Sequence, residues 1–201
     1  MTSIVLIDDH PLAINGIGAW LTGTGRFIIA GTAGCLEQAR ELMEQLVHLP
    51  QIIILDISLG AQDGLEFIPA LKEICVKRKF PVPRILVCSM YEDQFLIKLA
   101  MESGADAYVP KSADSREILR AIDAILQGGS YVNEKYQISK PDHAWSTLTR
   151  RESEIVYLVK RNYSAKQIAK NLFISIRTVE NHLSNIYVKT GVSSKDDLKI
   201  L

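Results

Sequence analysis

The sequence predicts two domains of different class. The first is an α/β domain on a doubly wound, five-stranded parallel sheet; the second is a small, all-α, four-helix domain that contains a helix-turn-helix. Three observations predict this. Short apolar blocks alternate with helically spaced segments through the first 128 residues. From Leu148 the period is helical throughout. The charge also changes sign along the chain: residues 1–128 carry 11 Lys and Arg against 16 Asp and Glu, whereas residues 147–201 carry 10 against 5. The net charge of zero therefore conceals an acidic front and a basic back, which suggests different partners for the two.

Strands are expected at Ile4–Ile7, Phe27–Ala30, Gln51–Leu55, Arg84–Cys88 and Ala107–Val109. Blocks of aliphatic and β-branched residues of this length are what a sheet buried on both faces requires. Between them, Pro11 opens a helix through Leu12, Ile14, Ile17, Trp20 and Leu21. Leu36, Ala39, Leu42, Met43 and Leu46 mark the next helix, and Leu65, Ile68, Leu71 and Ile74 the third. Phe95–Met101 and Ile118–Leu126 repeat the pattern. Strand and helix in alternation imply right-handed βαβ crossovers. Gly128-Gly129 ends the last helix, and residues 129–146, with Ser139-Lys140-Pro141-Asp142, read as a linker between domains 1–128 and 147–201.

In the second domain, Thr149 and Glu152 have the spacing of a capping box, and so do Ser164 and Gln167. Asn162 stands where the first helix must stop, since Asn tolerates the left-handed conformation. Ser175 caps a longer helix whose Ile176, Val179, Leu183 and Ile186 form one apolar stripe. Short helix, tight turn and longer helix are the helix-turn-helix pattern. No apolar run approaches the roughly 18 residues of a membrane span, and the opening residues lack the basic start of a secretory signal. Cys35, Cys75 and Cys88 are odd in number and widely spaced, which argues for reduced thiols in a cytoplasmic protein.

A doubly wound sheet binds its ligands at the carboxyl ends of its strands. The residues landing there are Asp8 and Asp9, Asp56, Ser89 and Lys111. Each alone is an ordinary cap, turn or surface residue; together, on successive strand ends, they form a site. Three close carboxylates need a cation, and an all-oxygen set suits Mg²⁺. Asp56 can then act as the nucleophile that forms an acyl phosphate. Lys111 would pair with the phosphoryl oxygens, and Ser89 would donate a hydrogen bond to one of them.

Asp8-Asp9-His10-Pro11, Asp56 with Gly64 eight residues on, Ser89, Tyr108 and Lys111 resemble the receiver domain of two-component response regulators. With Leu148-Thr149-x-Arg151-Glu152, the resemblance is to the NarL/FixJ branch, which has a LuxR-type helix-turn-helix, and it covers almost the whole chain. It implies a flavodoxin-like receiver whose Asp56 takes the phosphoryl group of a sensor histidine kinase. It implies that Asp9, Asp56 and the Ser58 backbone carbonyl bind Mg²⁺, with Asp8 acting through water. It also implies a switch in which Ser89 moves onto the phosphoryl group and Tyr108 turns inward. Leu59-Gly60 stands where many receivers have Met-Pro, and Ser112 where many have Pro. Met90 and Tyr91 are bulky neighbours of Ser89, expected to shield the phosphoryl group.

The back domain resembles LuxR-type DNA-binding domains through Thr178-Val179-x-Asn181-His182-Leu183 and Lys189-x-Gly191-Val192. Its helix from Ser175 to Thr190 is expected in the major groove of double-stranded DNA, presenting Arg177, Glu180, Asn181, Ser184, Asn185 and Lys189. Asn can read adenine and Glu can accept from cytosine. Lys166, Thr178 and Lys189 suit phosphates. Glu180 departs from relatives that carry a basic residue there, so an unusual target sequence is expected. One such motif reads a short half-site, so a homodimer is expected after phosphorylation, with Leu198 and Leu201 either its contact or simple packing. RNA polymerase is a further candidate partner. Two other readings remain: a phosphohydrolase with an Asp nucleophile, which would want a carboxylate where Ser58 stands, and a receiver that signals without phosphate. In neither regulatory reading is the chain an enzyme with turnover.

Overall fold

The computed structural model describes residues 1–60, 62–92, 94–136, 147–172 and 174–200. Contacts divide the chain into two units, residues 1–92 with 100–136, and residues 93–99 with 137–201.

In the front part, β1 (Thr2–Ile7), α1 (Pro11–Gly23), β2 (Phe27–Ala33), α2 (Leu36–Gln45) and β3 (Ile52–Leu55) follow in order. A two-strand hairpin, β4 (Ser58–Leu59) and β5 (Gln62–Asp63), leads into a 3₁₀ turn and α3 (Phe67–Arg78). Then come β6 (Arg84–Ser89), α4 (Gln94–Ser103), whose residues up to Leu99 fall in the second unit, β7 (Ala107–Pro110), α5 (Ser115–Leu126) and β8 (Tyr131–Val132). The main sheet has the order β2-β1-β3-β6-β7-β8, and every pairing is parallel. All five expected strands are present; β8 is a sixth, lying in the stretch read as linker. Its two residues are too few to carry a period.

Strand alternation distributes the core. Ile4, Leu6, Ile52, Ile54, Leu86, Cys88, Ala107 and Val109 form one buried layer with Leu21 of α1 and with Ile118, Ala121, Ile122 and Ile125 of α5. Their neighbours Val5, Ile7, Ile53, Leu55 and Val87 are equally buried, as a two-faced sheet demands. α5 ends at Gly128, whose positive φ of 84° suits glycine, and the amide of Gly129 bonds back to the Ala124 carbonyl. That reversal delivers Tyr131 to the edge of β7.

The back domain is helical: α6 (Arg150–Lys160), α7 (Ala165–Asn171), α8 (Ile176–Thr190) and α9 (Lys195–Ile200). Both capping boxes form as expected, Thr149 with Glu152 and Ser164 with Gln167. Asn162 takes φ of 63° after α6, and Gly191 takes 73° after α8. Ile155, Val156, Val159, Ile168, Val179 and Ile186 are fully buried. Ile176 is largely exposed instead of joining the stripe. Leu198 is wholly buried, so its side chain belongs to the domain's core and not to a free dimer surface. Leu201 and linker residues 137–146 lie outside the described residues. Among the described residues, no helix is long and apolar enough to cross a membrane.

Candidate phosphoacceptor site and nucleic-acid-facing helix

Backbone bonds carry the ladder one residue past the strands and set the acidic side chains side by side. The Asp8 amide donates to the Ala33 carbonyl (3.0 Å), that of Asp56 to the Ile7 carbonyl (2.8 Å), and that of Lys111 to the Ser89 carbonyl (2.7 Å). Asp56 is 2% exposed, and Asp8 and Ser89 are also buried. Lys111 Nζ lies 2.6 Å from Asp8 Oδ2 and 2.8 Å from Asp56 Oδ2, bridging two strand ends. Burial raises the pKa of Asp56, with Lys111 opposing and Asp8 adding repulsion. Burial pulls Lys111 the other way, but the two carboxylates outweigh it and hold the ammonium charged.

Carboxylate or imidazole atoms of Asp8, Asp9, His10 and Asp56 lie within 4.8 Å of one another. Asp9 Oδ2 accepts the Gly60 amide at 2.8 Å. Asp9 Oδ1 is buried without a hydrogen bond, with His10 Nδ1 2.7 Å away. A buried carboxylate oxygen left unsatisfied among further carboxylates fits a hard divalent cation. Ser58 donates its amide to Asp56 Oδ1 at 3.2 Å, while its own hydroxyl is buried and unpartnered. Gly64 closes the site from below: a Cβ there would lie 1.9 Å from the Asp56 carbonyl oxygen.

Ser89 Oγ accepts the Tyr91 amide at a long 3.5 Å. Tyr108 is fully buried and its hydroxyl donates to the Tyr91 carbonyl at 2.8 Å. Tyr108 thus points inward here, with its buried hydroxyl satisfied by a backbone partner. Met90, next to Ser89 in the chain, is 72% exposed. Burial pushes the Cys88 thiol up to about 12, which makes it an inert core residue.

On α8, Arg177, Glu180, Asn181, Ser184 and Asn185 are all exposed. Their spacing puts them on one face. Val188, which sequence reasoning passed over, extends that face and is 85% exposed. Ser184 Oγ donates to the Glu180 carbonyl at 3.0 Å. Thr178 is half-buried and engaged in the helix cap, its amide on Ser175 Oγ at 3.0 Å and its hydroxyl 2.8 Å from the same oxygen. Lys166 is exposed on α7. Lys189 departs from expectation. Its ammonium lies 2.7 Å from Glu152 Oε2, the carboxylate that also accepts the Thr149 amide at 2.7 Å. Glu152 is buried and needs a counter-charge, which Lys189, itself 32% exposed, supplies.

Gly60 was missed as a site residue because it acts through its backbone amide, and Tyr91, expected for its bulk, is engaged here through its backbone amide and carbonyl. The only signal was at Gly60: a glycine offers an amide donor where the usual proline offers none.

An acidic cluster with one bridging lysine, at the carboxyl edge of a doubly wound sheet, is the arrangement of a receiver-type module; here it shares a chain with a helix-turn-helix. The chain belongs to the response-regulator family: the family model "Response regulator receiver domain" matches residues 4–123, and "Bacterial regulatory proteins, luxR family" matches residues 146–201. It is similar to the transcriptional regulatory protein MctR of Rhizobium johnstonii, at 30% identity over 195 residues covering 95% of this chain and 88% of MctR. The transcriptional regulatory protein DegU of Brevibacillus brevis is 31% identical over 219 residues, covering 96% and 89%. In fold it resembles RcsB of Salmonella enterica serovar Typhimurium bound to promoter rprA with the phosphomimetic BeF3⁻. That match has a TM-score of 0.80 at 22% identity, covering 98% of this chain and 96% of that one. The protein is thus a response regulator with a receiver and a LuxR-type DNA-binding domain.

Proposed function

We propose that Asp56 accepts a phosphoryl group from a sensor histidine kinase and that this controls dimerisation and DNA binding, and so transcription, in the cytoplasm. The observation that carries the reading is Lys111 held between Asp56 and Asp8 beside the unsatisfied oxygen of Asp9. Asp9, Asp56 and the Ser58 carbonyl would hold Mg²⁺, with Asp8 acting through water; when bound, the ion supplies charge neutralisation for the carboxylates and phosphoryl oxygens. A carboxylate oxygen of Asp56 attacks phosphorus, the O–P bond forms, the P–N bond to the donor imidazole breaks, and the imidazole leaves with the electron pair. Lys111 turns from Asp56 to the new phosphoryl oxygens, and Ser89 donates to another.

On α8, Arg177, Glu180, Asn181, Ser184 and Asn185 would face base edges and Lys166 a phosphate, in a homodimer on a two-fold site. RNA polymerase would be met at the promoter. Acetyl phosphate with Mg²⁺ tests the whole reading, with wild type beside Asp56→Asn, read by intact mass and then by DNA selection. An adduct on wild type alone with tighter DNA binding supports it. No adduct despite bound Mg²⁺ favours a receiver that signals without phosphate.

A further inference from the structure

The loop after β6 holds a second polar cluster, outside the acidic site. Glu92, three residues after Ser89, accepts hydrogen bonds from the Ser112 hydroxyl (2.5 Å), the Tyr136 hydroxyl (2.8 Å) and the Lys135 ammonium (3.2 Å). Lys135 also sits over the Tyr136 ring, 5.0 Å from its centroid. Ser112 directly follows Lys111, and Lys135 and Tyr136 lie just beyond β8. One carboxylate therefore gathers the loop after Ser89, the residue after the site lysine, and the chain departing from the sheet. These bonds hold the Glu92 carboxyl near a pKa of about 2, so it stays ionised under ordinary conditions.

The same loop is fixed from inside by the Tyr108 hydroxyl on the Tyr91 carbonyl at 2.8 Å. Asn133 is fixed separately, its side-chain amide donating to Glu117 Oε1 at 2.8 Å, and it caps the turn by accepting the Lys135 amide at 2.9 Å. The departing chain is thus anchored to α5 on one side and to the loop on the other. Only the second anchor can follow a displacement of Ser89 and Tyr91.

We propose that Glu92 is a latch through which the Ser89–Glu92 loop controls the first residues of the interdomain linker. While Tyr108 pins the loop, Glu92 holds Lys135 and Tyr136; a loop that moves lets them go. The inference rests on the phosphorylation reading only for what moves the loop, since the latch itself is a set of contacts.

Hydrogen exchange of the full chain tests it, followed at residues 133–136. Glu92→Gln and Tyr136→Phe each remove a latch contact, and Tyr108→Phe removes the pin without touching the latch. All three are expected to speed exchange at 133–136 several-fold, with exchange in β1 and β3 unchanged. Glu92→Gln and Tyr136→Phe are expected to leave the acetyl phosphate adduct at wild-type level while reducing the gain in DNA binding that it produces. If Tyr108→Phe left 133–136 as protected as wild type while Glu92→Gln exposed them, the loop would not control the latch and the proposal would be overturned. Unchanged exchange in all three would overturn it too. Failure of wild type to form an adduct would remove the phosphorylation reading, and the Tyr108→Phe comparison would still decide the latch.

Discussion

Asp56 is buried, close to the carboxylate of Asp8, and neutralised by one shared lysine. In Mg²⁺-free buffer that arrangement costs stability, because desolvation and like charge both oppose ionised Asp56. Asp56→Asn should therefore raise Tm by a few degrees, equivalent to about 1 kcal/mol, while abolishing the phosphoryl adduct; a fall in Tm would show that the Lys111 pairing dominates. Gly64→Ala should do the reverse. Its Cβ would meet the Asp56 carbonyl at 1.9 Å, a backbone collision expected to cost about 2–4 kcal/mol in urea unfolding. The acidic residues and Lys111 were legible in the sequence because each lies within two residues of the end of an apolar block, where side-chain chemistry changes abruptly. The Gly60 amide on Asp9 was not, because every residue but proline carries that donor and only the fold shows which one is used.

The arginine and lysine of α8 differ in their surroundings. Arg177 is exposed at its start, whereas Lys189 is tied to Glu152 near its end. Helical spacing showed a lysine beside the exposed face but could not show a carboxylate 37 residues away on another helix. Lys189→Met should lower stability by about 1–2 kcal/mol and leave the salt dependence of DNA binding unchanged. Lys166→Ala should leave stability alone and reduce the salt slope by about 1. Equal salt slopes for the two variants would return Lys189 to the DNA face. Burial opposes the charge on Glu152, but Lys189 and the Thr149 groups outweigh it and depress its pKa below the ordinary 4.5. A depressed carboxylate stabilises the folded state above its unfolded pKa and loses that contribution as pH falls through the folded value. Unfolding of the full chain between about pH 5 and pH 3 should therefore be less steep for Glu152→Gln than for wild type. Glu180→Lys, on the exposed face, should tighten binding or shift the preferred site in a selection experiment; no change in either would remove Glu180 from base reading.

At the scale of the molecule, zero net charge at pH 7 hides the acidic front and basic back described above. Low-salt solubility should be poorest near pH 7, and phosphorylation, adding about −1.5 to −2 charges, should move that minimum to lower pH; a nephelometric titration of both forms checks it. The overall architecture was legible because short continuous apolar blocks alternate with segments of period 3.6 and then give way to that period alone. The short pairings β4–β5 and β8 were not, since a two-residue strand has no period to detect. β8 has a practical consequence for anyone dissecting the protein. It lies along the outer edge of β7, whose four residues are all buried. A fragment cut at residue 128, where the helical pattern stops, would bare an apolar strand edge, the template on which sheets of separate molecules join. Such a fragment should form aggregates visible by light scattering, and one carried through residue 136 should stay monodisperse.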